Sequence, residues 1–198
     1  MPNLILQQKI EQLLAASLNR RKFLTSVAAT SVITTLPFSG CRKSEKSYNA
    51  FSFSPEQQRT LAAVLEHLLP HETDSPGASD LNSLQYLEMT LNQKDFDPEI
   101  RDFIEDGLKQ LMRFISEKNL VPFEKLDETK REYILLEIQS LSWGESWTSL
   151  ILNYLLEALL GDPIYGGNID EAGWKWLDHT PGQPRPTQET RFGKNQEI

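Results

Sequence analysis

Between residues 54 and 160 the apolar positions recur at helical spacing and nowhere alternate with period two, so the chain reads as all-α. The first helix opens on a capping box, Ser54 with Gln57, and has Pro55 at its first position, where a missing N–H costs nothing. Leu61, Val64, Leu65, Leu68 and Leu69 then keep one face apolar up to the stop at Pro70. A loop containing Pro76-Gly77-Ala78 precedes a second helix carrying Leu81, Leu84, Leu87, Met89 and Leu91. Asp97-Pro98 starts a third, with Ile100, Phe103, Ile104, Leu108, Leu111 and Ile115 as its stripe, Gly107 as a point of close packing and an end near Asn119. Phe123 is expected to be buried in a short connector; Asp127 caps a fourth helix, which should turn Tyr133, Ile134, Ile138 and Leu141 inward. The fifth, from about Glu145, holds Trp147, Leu150, Ile151, Leu152, Tyr154, Leu155, Leu156, Leu159 and Leu160. A helix apolar around most of its circumference lies at the centre of a bundle or under another chain.

The periodicity stops at Gly161, which suits the left-handed residue that closes a helix, and Pro163 prevents continuation. Beyond it the chain enters a glycine- and tryptophan-rich loop: Asp162, Pro163, Tyr165, Gly166, Gly167, Asn168, Asp170, Gly173, Trp174 and Trp176. Gly166-Gly167-Asn168 permits positive φ at successive positions, which makes a tight turn. Two readings compete. The loop caps this chain's own helical core, or it presents a rigid aromatic surface to a partner protein, since Tyr and Trp are favoured at interface centres. Neither is catalytic. From His179 onward, Pro181, Pro184 and Pro186 favour an extended tail that wraps a partner or stays disordered. The expected architecture is a small bundle of about five helices over 54–178, with an irregular C-terminal loop and a proline-rich tail over 179–198.

The charge is unevenly spread. The net charge is -8, but residues 1–40 hold Lys9, Arg20, Arg21 and Lys22 against Glu11, a balance of +3 that leaves -11 on the remainder. An acidic folded part argues against nucleic acid as a partner, because phosphate binding needs a basic face. The basic N-terminal stretch has its own logic. Asn19-Arg20-Arg21-Lys22-Phe23-Leu24-Thr25 matches a twin-arginine export signal, and the mild apolar segment 26–38 is too short to span a bilayer but suits a signal peptide. Phe38-Ser39-Gly40-Cys41 resembles a lipobox, with Phe38 where leucine is usual; lipidation of Cys41 would anchor the chain to a membrane through the tether 42–53. Cys41 is the single cysteine, which excludes an internal disulfide.

Candidate chemistry is sparse. His67 and His71 have the four-residue spacing of helical metal ligands, but Pro70 intervenes, and half-exposed histidines at a helix end are the commoner case, so no metal is assigned. Gly166-Gly167 lacks the preceding strand and third glycine of a dinucleotide loop. No serine or cysteine nucleophile has a credible base. For Asp162, Asp170 and Glu171, turn bonding is a commoner role than cation binding.

Taken together, the Leu68-Leu69-Pro70 helix end, Pro76-Gly77-Ala78, Phe123 and above all Asp162-Pro163-x-Tyr165-Gly166-Gly167-Asn168-x-Asp170-x-x-Gly173-Trp174 resemble the gluconate 2-dehydrogenase subunit 3 family, over about residues 53–182. The resemblance implies a small, exported, cofactor-free and non-catalytic subunit. Its partner would be a large FAD-dependent dehydrogenase of the glucose/methanol/choline type, which carries the chemistry, in some cases with a cytochrome c subunit. The chain would then supply the signal read by the twin-arginine translocase, and the complex would work on the periplasmic side of the cell envelope. The alternative is a self-contained exported lipoprotein that binds a small ligand or metal in its bundle.

Overall fold

Asp97, Asp127 and Ser54 each place a side-chain oxygen on a backbone N–H of the adjoining first turn, and three of the helices start where these caps stand. The computed structural model describes residues 51–192; the export-signal candidates Arg20, Arg21, Phe23 and Leu24 and the lipidation candidate Cys41 lie outside them. In chain order the helices are α1 (Pro55–Leu68), α2 (Ser83–Leu91), α3 (Pro98–Glu117), α4 (Glu128–Gln139), α5 (Gly144–Leu160) and α6 (Ala172–Trp176), with 3-10 turns at Phe123–Lys125, Pro163–Tyr165 and Ile169–Glu171. No strand occurs among the described residues, and an isolated bridge joins Glu72 to Ser75. None of the described helices is long and apolar enough to cross a membrane.

α5 is the axis of the bundle and touches α1, α2, α3, α4 and α6. Trp147, Ile151, Leu152, Leu155, Ala158 and Leu159 are buried on it, so most of its apolar surface is used inside this chain; Leu160, more than half exposed, is the clear exception. At its N-terminal end Trp147 is fully buried and donates Nε1–H to the Ile104 carbonyl of α3 at 3.0 Å. The indole reaches that carbonyl because residue 107 is glycine: a Cβ there would overlap the Trp147 ring. The close packing expected at Gly107 is therefore a socket for one tryptophan.

Four expectations need correction. Tyr133 is 59% exposed and Leu141 also faces outward, because α4 buries Ile134, Leu135 and Ile138, and the helical step from those three carries position 133 to the solvent side. Leu141 lies past the end of α4, in a turn in which its N–H bonds Ile138 O. α2 begins only after Asn82, which sits in the left-handed region at φ 57°; Leu81 is buried ahead of the helix and Met89 is exposed. His67 lies in the last turn of α1 as expected but is not half-exposed: it is buried and meets Glu132 of α4 at 2.8 Å. His71 lies exposed against Asp80 at 2.6 Å, so the two histidines serve different partners.

Candidate functional site

The last turn of any α-helix leaves carbonyls without intrahelical donors. At the C-terminal end of α5 the expected left-handed glycine cap is absent: Gly161 has φ −67° and ψ 160°, an extended conformation, and its N–H bonds Glu157 O. The closing donors come instead from side chains of the loop. Asn168 Nδ2–H donates to Gly161 O at 3.0 Å, and the Trp174 indole Nε1–H donates to Leu160 O at 2.8 Å. Asn168 Oδ1 in turn accepts the Gly173 N–H at 2.8 Å. Asn168 is fully buried and its bond with Gly173 is shielded from water, so that bond, if lost, would not be replaced.

The glycines make that approach possible for different reasons. Gly166 has φ 89° and turns the chain over; its carbonyl accepts Asn82 Nδ2–H at 3.1 Å, tying the loop to the start of α2. Gly167 does not take positive φ, contrary to the expectation of a successive run. It is needed for space, since a Cβ would lie 2.9 Å from the Ala158 Cα and carbonyl of α5. Gly173 faces the same constraint against the Leu159 carbonyl. The left-handed positions between Gly166 and α6 are Asn168, Asp170 and Glu171.

Trp174 and Trp176 separate at this point. Two residues apart on a helix are nearly opposite, so Trp174 is buried under the cap while Trp176 is 40% exposed. Asp162 also points inward: Oδ1 accepts the Ile164 N–H at 3.0 Å and Oδ2 accepts Arg185 Nε–H at 2.9 Å. Arg185 reaches Glu171 Oε1 with Nη1 at 2.6 Å, and its guanidinium carbon stands 4.9 Å from the centre of the Trp174 ring. Burial pushes the Asp162 carboxyl up, but Arg185 and the Ile164 N–H outweigh it and hold the carboxyl below its ordinary value; the Asp162 and Glu171 carboxylates raise Arg185. The proline-rich segment as far as residue 192 is thus folded back on this chain's own loop rather than extended away from it.

Of the predicted interface candidates, Asp162, Gly167, Asn168, Gly173 and Trp174 serve this cap; Pro163, Tyr165 and Gly166 are half-buried, and Asp170 and Trp176 face solvent. At this end of α5 an exposed apolar strip remains open to a partner, and sequence reasoning did not single out its residues Ile169 and Leu177. Leu160 joins two shallow grooves, one lined by Tyr86, Leu156 and Glu157, the other by Leu177, Asp178 and His179. Ile169 and Leu177 are exposed as well. The signal for Leu160 was present: it is the last residue of a helix already apolar on its other faces. Tyr86 donates to Glu157 at 3.1 Å, and burial, with that carboxylate, pushes the phenol up to about 12, so it stays protonated and is no base at neutral pH. Among the described residues no group of three His, Cys, Asp or Glu side chains is placed to hold a metal ion.

The family model described as gluconate 2-dehydrogenase subunit 3 matches residues 55–182, from the first residue of α1 to just past the cap. No curated protein and no solved structure matches the chain.

Proposed function

Since the chain belongs to the gluconate 2-dehydrogenase subunit 3 family, whose name is that of a dehydrogenase-complex subunit, we propose that it is a non-catalytic accessory subunit binding a separate FAD-dependent dehydrogenase of the glucose/methanol/choline type. The observation that carries this reading is the family match across the whole bundle and its cap. In this reading the chain contributes surface and an export signal, and the partner contributes FAD and the chemistry. Arg20-Arg21 followed by Phe23-Leu24 supports twin-arginine export, a route for folded cargo, which a flavoprotein loaded with FAD in the cytoplasm requires. Lipidation at Cys41 would hold the complex at the periplasmic side of a membrane, where a cytochrome c subunit is a fitting electron acceptor.

The exposed strip around Leu160 and Leu177, and the exposed Trp176 of α6, support docking, since apolar and tryptophan side chains are what interface centres favour. The test is export in the native host. Replacing Arg20 and Arg21 by Lys should leave both this chain and the flavoprotein in the cytoplasm, and affinity capture of the wild-type chain should bring down a yellow large subunit in fixed proportion. Normal export of the flavoprotein beside the retained variant would sink the shared signal; capture of the chain alone would sink the subunit assignment.

A further inference from the structure

The arginine that sits on the cap comes from outside the matched residues. Asp162, Glu171 and Trp174 all lie within 55–182, whereas Arg185 lies beyond them. These three side chains offer what a guanidinium needs: two carboxylates placed for separate N–H groups, at 2.9 and 2.6 Å, and an aromatic face 4.9 Å away. Two of the three receptor groups are fixed, and the third, Glu171, is 40% exposed. Asp162 is held by the Ile164 N–H and its side chain is 11% exposed; Trp174 is anchored through its indole N–H to Leu160 O. The arginine side is loosely held. No residue of 183–192 is buried, Arg185 keeps a third of its side chain in solvent, and a further tie to the loop is the Phe192 N–H on Tyr165 Oη at 3.2 Å.

A receptor with Asp162 and Trp174 held in place, facing a segment with no buried side chain, is the arrangement of a site and a removable cover, because the segment's attachment rests on polar ties that water or a competitor can replace. We propose that Asp162, Glu171 and Trp174 form an arginine-binding site, filled in cis by Arg185, which an arginine-bearing segment of a partner protein occupies when residues 183–192 lift away. The site selects arginine over lysine, since a single ammonium can neither engage two separated carboxylates with one planar fork nor stack on the indole. Nothing in this inference depends on the partner being a flavoprotein, so its failure would leave the subunit reading in place, and the reverse.

The experiment follows the Trp174 indole N–H by NMR in the full chain, with the peptide Gln-Pro-Arg-Pro-Thr-Gln-Glu-Thr-Arg-Phe as probe. With Arg185→Ala the peptide should give a saturable shift of that signal, at an affinity at least tenfold tighter than for the wild-type chain, whose site is already filled. Replacing the peptide's first arginine by lysine should weaken binding at least tenfold, and Asp162→Asn in the Arg185→Ala background should abolish it. Arg185→Lys, which keeps the charge but not the fork, is the second variant should the alanine chain fail to fold, and it should bind the peptide more tightly than wild type. No saturable shift in either variant, or equal binding of the peptide with its first arginine changed to glutamine, overturns the proposal.

Discussion

The two ends of α5 are closed by opposite means. At its N-terminal end Trp147 enters a gap that Gly107 leaves in α3, fully buried, with one hydrogen bond to the Ile104 carbonyl. At its C-terminal end the helix carbonyls are met by the Asn168 amide and the Trp174 indole, and an arginine is held by two carboxylates, the inward-pointing Asp162 and the part-exposed Glu171. Both ends use an indole N–H on a main-chain carbonyl. They differ in what surrounds it: close apolar packing at one, a layer of polar bonds a few residues from solvent at the other. The first arrangement has no partial state, since an indole half withdrawn leaves a void and an orphaned carbonyl. The second can come apart in steps, and the exposed strip and the arginine site both lie at that end.

The largest expected effect tests the interior end. Trp147→Ala removes the biggest buried side chain and should cost about 3–5 kcal/mol, read as the urea midpoint of the chain. Gly107→Val should be nearly as damaging without deleting any contact, because the added carbons must displace the indole from its socket. If Gly107→Val unfolds at the wild-type midpoint, the socket does not govern the packing of α3 on α5.

Asn168→Ala comes next, at about 2–3 kcal/mol, since it strands the buried Gly173 N–H, removes the donor to the half-buried Gly161 carbonyl and gives up a residue suited to the left-handed region. Hydrogen exchange should show the loss concentrated over residues 158–176, with α3 protection unchanged; uniform loss across the bundle would mean that the two ends are one cooperative unit. Trp174→Phe is smaller, about 1–2 kcal/mol, because a six-membered ring remains under the cap while the pyrrole part of the indole and its bond to Leu160 O go.

The difference between the ends also explains what could be read from the sequence. The helices and most of the core, including Leu61, Ile104 and Ile151, arise from periodicity and caps, which are local and repeated. Gly107 could be marked as a contact point because a glycine inside an amphipathic helix has few other uses, but Trp147 as its partner is a tertiary fact. The face of α4 was misjudged at Tyr133, since apolar residues surround that helix and periodicity alone cannot choose among them. At the C-terminal end the motif was conspicuous and its direction was not. Aromatics beside glycines suit an inward cap and an outward platform alike, and the loop is largely the first of these. Arg185 was hidden by its setting, because a proline-rich stretch reads as a tail until the carboxylates of Asp162 and Glu171 are set beside it.

The smallest effect is the most selective, because it acts on one end without a mutation. The Asp162 carboxyl is held below its ordinary value in the folded chain, so its contribution is fully present above the unfolded aspartate value of about 4 and is lost as pH falls through the depressed folded value. Protonating Asp162 removes one of Arg185's two anchors while leaving the Asn168 amide bonds, which do not titrate in this range, in place. The Trp174 indole N–H should therefore shift in an acid titration as Asp162 protonates, below about 4, and Asp162→Asn should make that shift smaller, with Glu171 remaining as Arg185's second anchor. The Trp147 indole N–H, bonded to Ile104 O at the opposite end of α5 from the Arg185 pairs, is the internal reference. If both indole signals move together, acid is unfolding the whole bundle and the ends are not separable; if Trp174 moves first, the outer layer is released while the interior lock holds.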